Sequence, residues 1–159
     1  FTDGACEGEG NRVGSVGGVI IDKTGRCYQH FSSEVPTDLM RVAMEDSLNP
    51  IYELELLPLY VALCTWGSLM QSTHVVFYLD NDAARAAVCK GCGGTKVGQR
   101  IVQRIMEVEC QLKLKSWYAR VPTHSNISDG PSRMDCTEVM QLGSVEAKAD
   151  WNFILESLL

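Results

Sequence analysis

The chain has 159 residues, 14 basic side chains against 20 acidic ones, a formal charge of −6, and 45% hydrophobic and 21% charged residues. That composition describes one domain able to bury a core, and it excludes a disordered chain, a collagen-like repeat, a disulfide miniprotein and a general nucleic-acid binder. The longest uncharged run, Leu56 to Leu79, is interrupted by polar, Pro and Gly residues and does not read as a membrane span.

The chain opens Phe1-Thr2-Asp3 without a Met, so a fragment or processed piece is expected. Residues 1–5 read as a short strand. Ser15–Asp22 and Arg26–Ser32 read as two more strands, joined by the turn signal Lys23-Thr24-Gly25. Residues 34–50, with Pro36, Asp38, Glu45, Asp46 and Asn49-Pro50, read as a long connection with room for one helical turn. Leu56, Leu59, Leu63, Trp66 and Met70 then form one apolar helical stripe. Pro58 fits if it lies in the first turn, where its missing N–H is not needed, which predicts a start near Leu54.

His74–Asp80 reads as a buried strand and Ala83–Lys90 as a short helix closed by Gly91, with Gly93-Gly94 continuing the break. Val97, Ile101, Ile105, Val108 and Leu112 make a second helical stripe, with Lys96, Arg100, Gln103 and Glu107 on its other face. Lys115–Val121 is the last predicted strand. A helix starting near Asp129 and an amphipathic tail with Trp151, Ile154, Leu155 and Leu158 complete the chain. Three leading strands followed by alternating elements predict a mixed sheet covered by helices, an α/β fold. Trp66 and Trp117 are expected in the core.

Seven cysteines cannot all pair internally, and Cys89 and Cys92 form a single CxxC where a structural zinc site needs four ligands. Reduced thiols, no zinc and an intracellular location are the expectation. Charge is unevenly distributed: residues 1–84 sum to −8, residues 85–133 to +6 and residues 134–159 to −4. A local polycation therefore follows a carboxylate-rich first half.

Four acidic residues stand where folded chains rarely put them without cause. Asp3 lies in a strand of small and apolar neighbours, Glu55 on the apolar side of a helix, Asp80 at the end of an apolar strand, and Asp129 at a helix start. Singly, Asp80-Asn81 or Asp129 would serve as helix caps. Together, strand ends and helix starts on one sheet edge are where α/β sites are built. Clustered carboxylates repel unless cations neutralise them, and an all-oxygen set suits Mg²⁺ or Mn²⁺. Two such ions a few Å apart drive phosphoryl displacement.

The ordered motifs resemble the ribonuclease H family, in the form found in reverse transcriptases of retroelements. FTDGACEG with VGGVIID looks like its first acidic strand and neighbour, and ELLPLYVAL like the helix of its catalytic Glu, aligning Glu55 rather than Glu53. FYLDNDAARAAV resembles the strand-end Asp with its short helix, and VPTHSNISDGPSR the closing segment. The match runs over residues 1–135. It implies a ribonuclease H-like fold with a mixed five-stranded sheet, three antiparallel strands leading and parallel ones following, flanked by helices. The catalytic domain would span residues 1–142, with residues 143–159 an amphipathic helix packing on it or on a neighbouring module.

The implied activity is metal-dependent hydrolysis of the RNA strand of RNA/DNA hybrids. Asp3, Glu55, Asp80 and Asp129 would hold two Mg²⁺ ions, for which Mn²⁺ could substitute, and His124 resembles the mobile loop His of the family. Two family features are missing. The basic protrusion between the middle helices is reduced to Gly91–Lys96, and the Asn-rich stretch before the catalytic Glu is replaced by Asn49-Pro50-Ile51-Tyr52. A weaker grip on the hybrid implies dependence on flanking modules, such as the polymerase of the same polyprotein. Arg85, Lys90, Lys96, Arg100, Arg104 and Asn126 are the candidate nucleic-acid contacts. The alternative reading is a non-catalytic ribonuclease H-like scaffold in a larger nucleoprotein assembly; a DNA nuclease or resolvase is a third. That all four carboxylates are present favours the enzyme.

Overall fold

The computed structural model describes residues 1–8, 12–46 and 49–159. Strands β1 (Thr2–Glu7), β2 (Val13–Ile21) and β3 (Cys27–Glu34) form an antiparallel meander with Asp3 opposite Gly17. The β2–β3 turn is tied by Asp22, whose carboxylate accepts from the Thr24 and Arg26 amides, with Gly25 at φ 84°.

The predicted connection over residues 34–50 is largely helical: α1 spans Thr37–Asp46, while residues 47 and 48 lie outside the described residues. Its acidic residues mask an apolar spacing. Leu39, Met40 and Ala43 are buried, while Arg41 bridges Asp38 and Glu45 on the exposed side.

Helix α2 (Ile51–Met70) starts earlier than expected, which puts Pro58 in its interior. Proline has no N–H for the carbonyl four residues back, here Leu54. Strand β1 meets α2 at that carbonyl, where a Cβ on Gly4 would lie 1.9 Å from the Leu54 oxygen. A helix without one donor and a strand without one side chain thus meet at the same point. Helix α2 lies against β1 and β2 and also against the later helix α4 (Lys96–Leu112), and it is buried nearly all round, from Leu54 through Leu63 to Trp66.

Beyond α2, β4 (His74–Leu79) pairs in parallel with β5 (Lys115–Arg120). Between them run α3 (Asp82–Lys90), which Gly91 closes at φ 67°, and α4 (Lys96–Leu112), whose Val97, Ile101 and Ile105 are buried as the stripe predicts. The expected single five-stranded sheet is not formed. The described strands make a four-stranded sheet, β1-β2-β3-β6, and a separate pair, β4-β5. Strand β1 is near β4, with Phe1 stacked on Tyr78 at 4.5 Å between centroids, yet no ladder joins them. Two main-chain groups of β1 are engaged by other segments. The Thr2 carbonyl takes the Asn126 side chain at 3.5 Å, and the Gly4 amide donates to the Glu55 carboxylate.

After β5 the chain makes a tight turn at Thr123–Ser125, then the short helices α5 (Asp129–Ser132) and α6 (Thr137–Gln141). Strand β6 (Val145–Glu146), absent from the sequence prediction, pairs in parallel with β3. Helix α7 (Trp151–Leu158) follows, so residues 143–159 are a strand and a helix rather than one amphipathic helix. They pack on the body: Ile154 and Leu158 are buried, and the Trp151 indole donates to Ser33 Oγ at 2.8 Å. Trp66 is in the core, but Trp117 is 70% exposed, because its face of the β4–β5 pair is uncovered. No described helix is long and apolar enough to cross a membrane.

Candidate metal centre

Each of the four carboxylates arrives on a different element. Asp3 is the second residue of β1 and is only 4% exposed. Opposite it, Gly17 leaves room for the closing segment, since a Cβ there would sit 2.2 Å from the Ser132 nitrogen. That close approach brings α5 against the sheet, and Asp129 lines the same cleft as Asp3. Glu55 is carried one turn into α2 and accepts from the Gly4 amide, at the seam where the two elements touch. Asp80 follows β4. Its neighbour Asn81 caps α3, accepting from the Ala84 amide at 3.0 Å, which leaves Asp80 free of that task.

Oxygens of Asp3, Glu55 and Asp80 all lie within 4.8 Å of one another. Asp129 lines the same cleft as these three. The electrostatics follow from crowding and burial. Burial foremost, then the charges of Asp3 and Asp80, pushes Glu55 up to about 9, against the Gly4 hydrogen bond. Asp3 is raised to about 6 by burial, opposed by a hydrogen bond from Ser132 and reinforced by Asp80 and Asp129. Asp80 Oδ1 is buried and has no hydrogen-bond partner among the described residues. Such an atom is costly unless something positive meets it. Hard carboxylate oxygens converging on one point, one of them orphaned, fit an oxygen-liganded divalent cation such as Mg²⁺ or Mn²⁺.

Glu53, two residues from Glu55, points elsewhere. It is 2% exposed and accepts from Thr95 Oγ1 at 2.6 Å, beneath the start of α4. His124 is exposed on the turn beside Thr123, which lines the cleft; among the described residues it makes no hydrogen bond or ion pair.

The candidate nucleic-acid residues differ in their surroundings. Asn126 is 5% exposed and donates to Asp3 Oδ1 at 3.3 Å, so it is a buried support of the centre, out of reach of a substrate. Arg104 Nε donates to the Ser157 carbonyl at 2.8 Å, and Arg100 to that of Leu158 at 2.5 Å; both hold the end of α7. Arg85 pairs with Asp82 at 3.5 Å. Lys90 and Lys96 are exposed at the C-terminal end of α3 and the first turn of α4. Cys89 and Cys92 are exposed free thiols.

Two functional candidates escaped sequence reasoning. Ser132 touches Asp3, and Arg133 sits in the cleft, 3.3 Å from Asp129 and 3.9 Å from Glu7. The signal for both was the DGPSR run, in which residues three and four after Asp129 share its helical face. Compared with family models, curated proteins and solved structures, the chain matches none of them.

Proposed function

We propose that this chain is a metal-dependent endoribonuclease with a ribonuclease H-like fold. It hydrolyses the RNA strand of RNA/DNA hybrids and works within a retroelement-type reverse transcriptase polyprotein. The observation that carries this reading is the convergence of Asp3, Glu55 and Asp80, from three separate elements, with Asp80 Oδ1 buried and unpartnered among the described residues. When bound, two divalent cations supply an activated water at phosphorus and positive charge for the departing oxygen. Asp3, Glu55, Asp80 and Asp129 would hold them, and the positive charge would oppose the burial and, after it, the mutual repulsion that raise Asp3 and Glu55. Arg133 is the one cationic side chain lining the described cleft, and it orients a substrate phosphate there. The sugar 2′-hydroxyl distinguishes the strand to be cut from its DNA complement.

The test is cleavage of an RNA/DNA hybrid, duplex RNA and duplex DNA with Mg²⁺, with Mn²⁺ and with EDTA. Metal-dependent cutting of the RNA strand of the hybrid alone supports the reading. Cutting of duplex DNA moves it to a resolvase. A chain inert on every substrate with either metal is the scaffold module.

A further inference from the structure

Asp3 differs from the other carboxylates in that both of its oxygens are already held. Asn126 Nδ2 donates to Oδ1 at 3.3 Å, and Ser132 Oγ donates to Oδ2 at 2.5 Å. Asn126 is itself locked, because its Oδ1 accepts from Ser128 Oγ at 2.7 Å. All three supporting residues are buried, Ser128 and Ser132 completely and Asn126 to 5% exposure. The Ser132 hydroxyl has two acceptors in reach, Asp3 Oδ2 and the Asp129 carbonyl at 2.8 Å, but only one proton. The shorter contact, to the charged acceptor, is the stronger one.

The hydroxyl is not needed to anchor its own segment. Two serines of the sheet do that: Ser15 Oγ donates to the Ser132 carbonyl at 2.5 Å, and Ser32 Oγ to the Pro131 carbonyl at 2.6 Å. Segment placement and carboxylate placement are therefore carried by different hydrogen bonds. The Ser132 side chain is left with one distinctive task, fixing how Asp3 faces Glu55 and Asp80.

We propose that Ser132 is a positioning residue for the metal centre, holding the Asp3 carboxylate turned toward the cation it shares with Glu55 and Asp80. The proposal rests on the reading that these carboxylates hold a divalent cation. Partners of metal-ligating side chains generally cost about 10–100-fold in metal affinity when removed.

The experiment measures Mn²⁺ binding to the whole chain by calorimetry and by the electron paramagnetic resonance signal of free Mn²⁺, with no substrate present. Wild type is compared with Ser132→Ala, Ser132→Cys and Ser15→Ala, each first checked by a metal-free thermal melt. Ser132→Ala is expected to weaken Mn²⁺ binding about 10–100-fold. Ser132→Cys, a weak donor of similar size, falls between and remains informative if the alanine variant does not fold. Ser15→Ala, which loosens the same segment without touching Asp3, lowers the melting temperature and costs much less Mn²⁺ affinity than Ser132→Ala. Wild-type affinity in folded Ser132→Ala overturns the proposal, and so does an equal loss in Ser15→Ala. No Mn²⁺ binding by wild type overturns the cation reading itself, and the proposal with it.

Discussion

At the scale of single residues, the centre is a set of carboxylates that resist ionising together. Glu55 is raised from 4.5 to about 9 and Asp3 from 3.8 to about 6. A raised carboxyl keeps its proton in the fold while the unfolded chain has already lost it, so rising pH favours unfolding. Asp3 and Glu55 therefore draw metal-free stability down as pH rises, Asp3 between about 4 and 6 and Glu55 up to about 9, while the buried Phe1 amine, lowered from 8.0 to about 5, opposes them between about 5 and 8, so the net loss should fall below about pH 6 and above about pH 8. Thermal melts in EDTA across that range check this, and Glu55→Gln should flatten the upper part of the curve. Asp80→Asn belongs to the same argument. The amide keeps the shape and removes one of the crowded charges, so the metal-free melting temperature should be no lower than wild type. It cannot supply the charge that holds a cation, and cleavage of the hybrid should fall about a thousandfold or more. Wild-type rates from Asp80→Asn in a single-turnover assay would remove Asp80 from the centre.

At the scale of elements, two groups of polar side chains serve architecture. Arg100 and Arg104 close the end of α7 through the Leu158 and Ser157 carbonyls. Alanine at either should cost about 1–2 kcal/mol in urea unfolding, with hybrid affinity unchanged. Glu53 is the second group. Its carboxylate accepts from Thr95, the residue that caps α4 by accepting from the Gly98 amide at 3.0 Å. Thr95→Ala removes the cap and leaves a buried carboxylate with one partner fewer, a combined loss of about 2 kcal/mol or more. Thr95→Ser should restore most of it in the same unfolding measurement. These two sets explain why acidic and basic residues near the centre in sequence are not all part of it in space.

At the scale of the whole molecule, the centre joins elements that main-chain hydrogen bonds leave apart. Strands β1 and β4 belong to different sheets, yet Asp3 and Asp80 come within 4.8 Å. A cation held by both would cross-link the two halves, and anything that binds the fold alone stabilises all of it. At a Mg²⁺ concentration of about 100 times its dissociation constant, the gain should be about 2.7 kcal/mol, reversed by EDTA. A melting temperature indifferent to Mg²⁺ and Mn²⁺ would show that no such link forms.

What could be read without coordinates was what local physics dictates. Alternation and helical spacing located β1 to β5, α2, α3, α4 and α7, because each must bury one face whatever its neighbours. The four acids stood out because each interrupts an apolar or small-residue setting, which costs free energy in any fold. Helix α1 was hidden because acidic residues flank its short apolar stripe, and β6 because two residues carry no periodicity. The rest depended on contacts between distant segments. Whether Asn126 would reach a substrate or Asp3, whether Arg104 would meet a phosphate or Ser157, and whether β1 would pair with β4 or give main-chain groups to Asn126 and Glu55 were all decided by packing. A side chain's chemistry is local, but its partner is whatever the fold brings within about 3 Å, and residues more than a hundred positions apart in sequence meet in this centre only after the sheet and α2 have closed on each other.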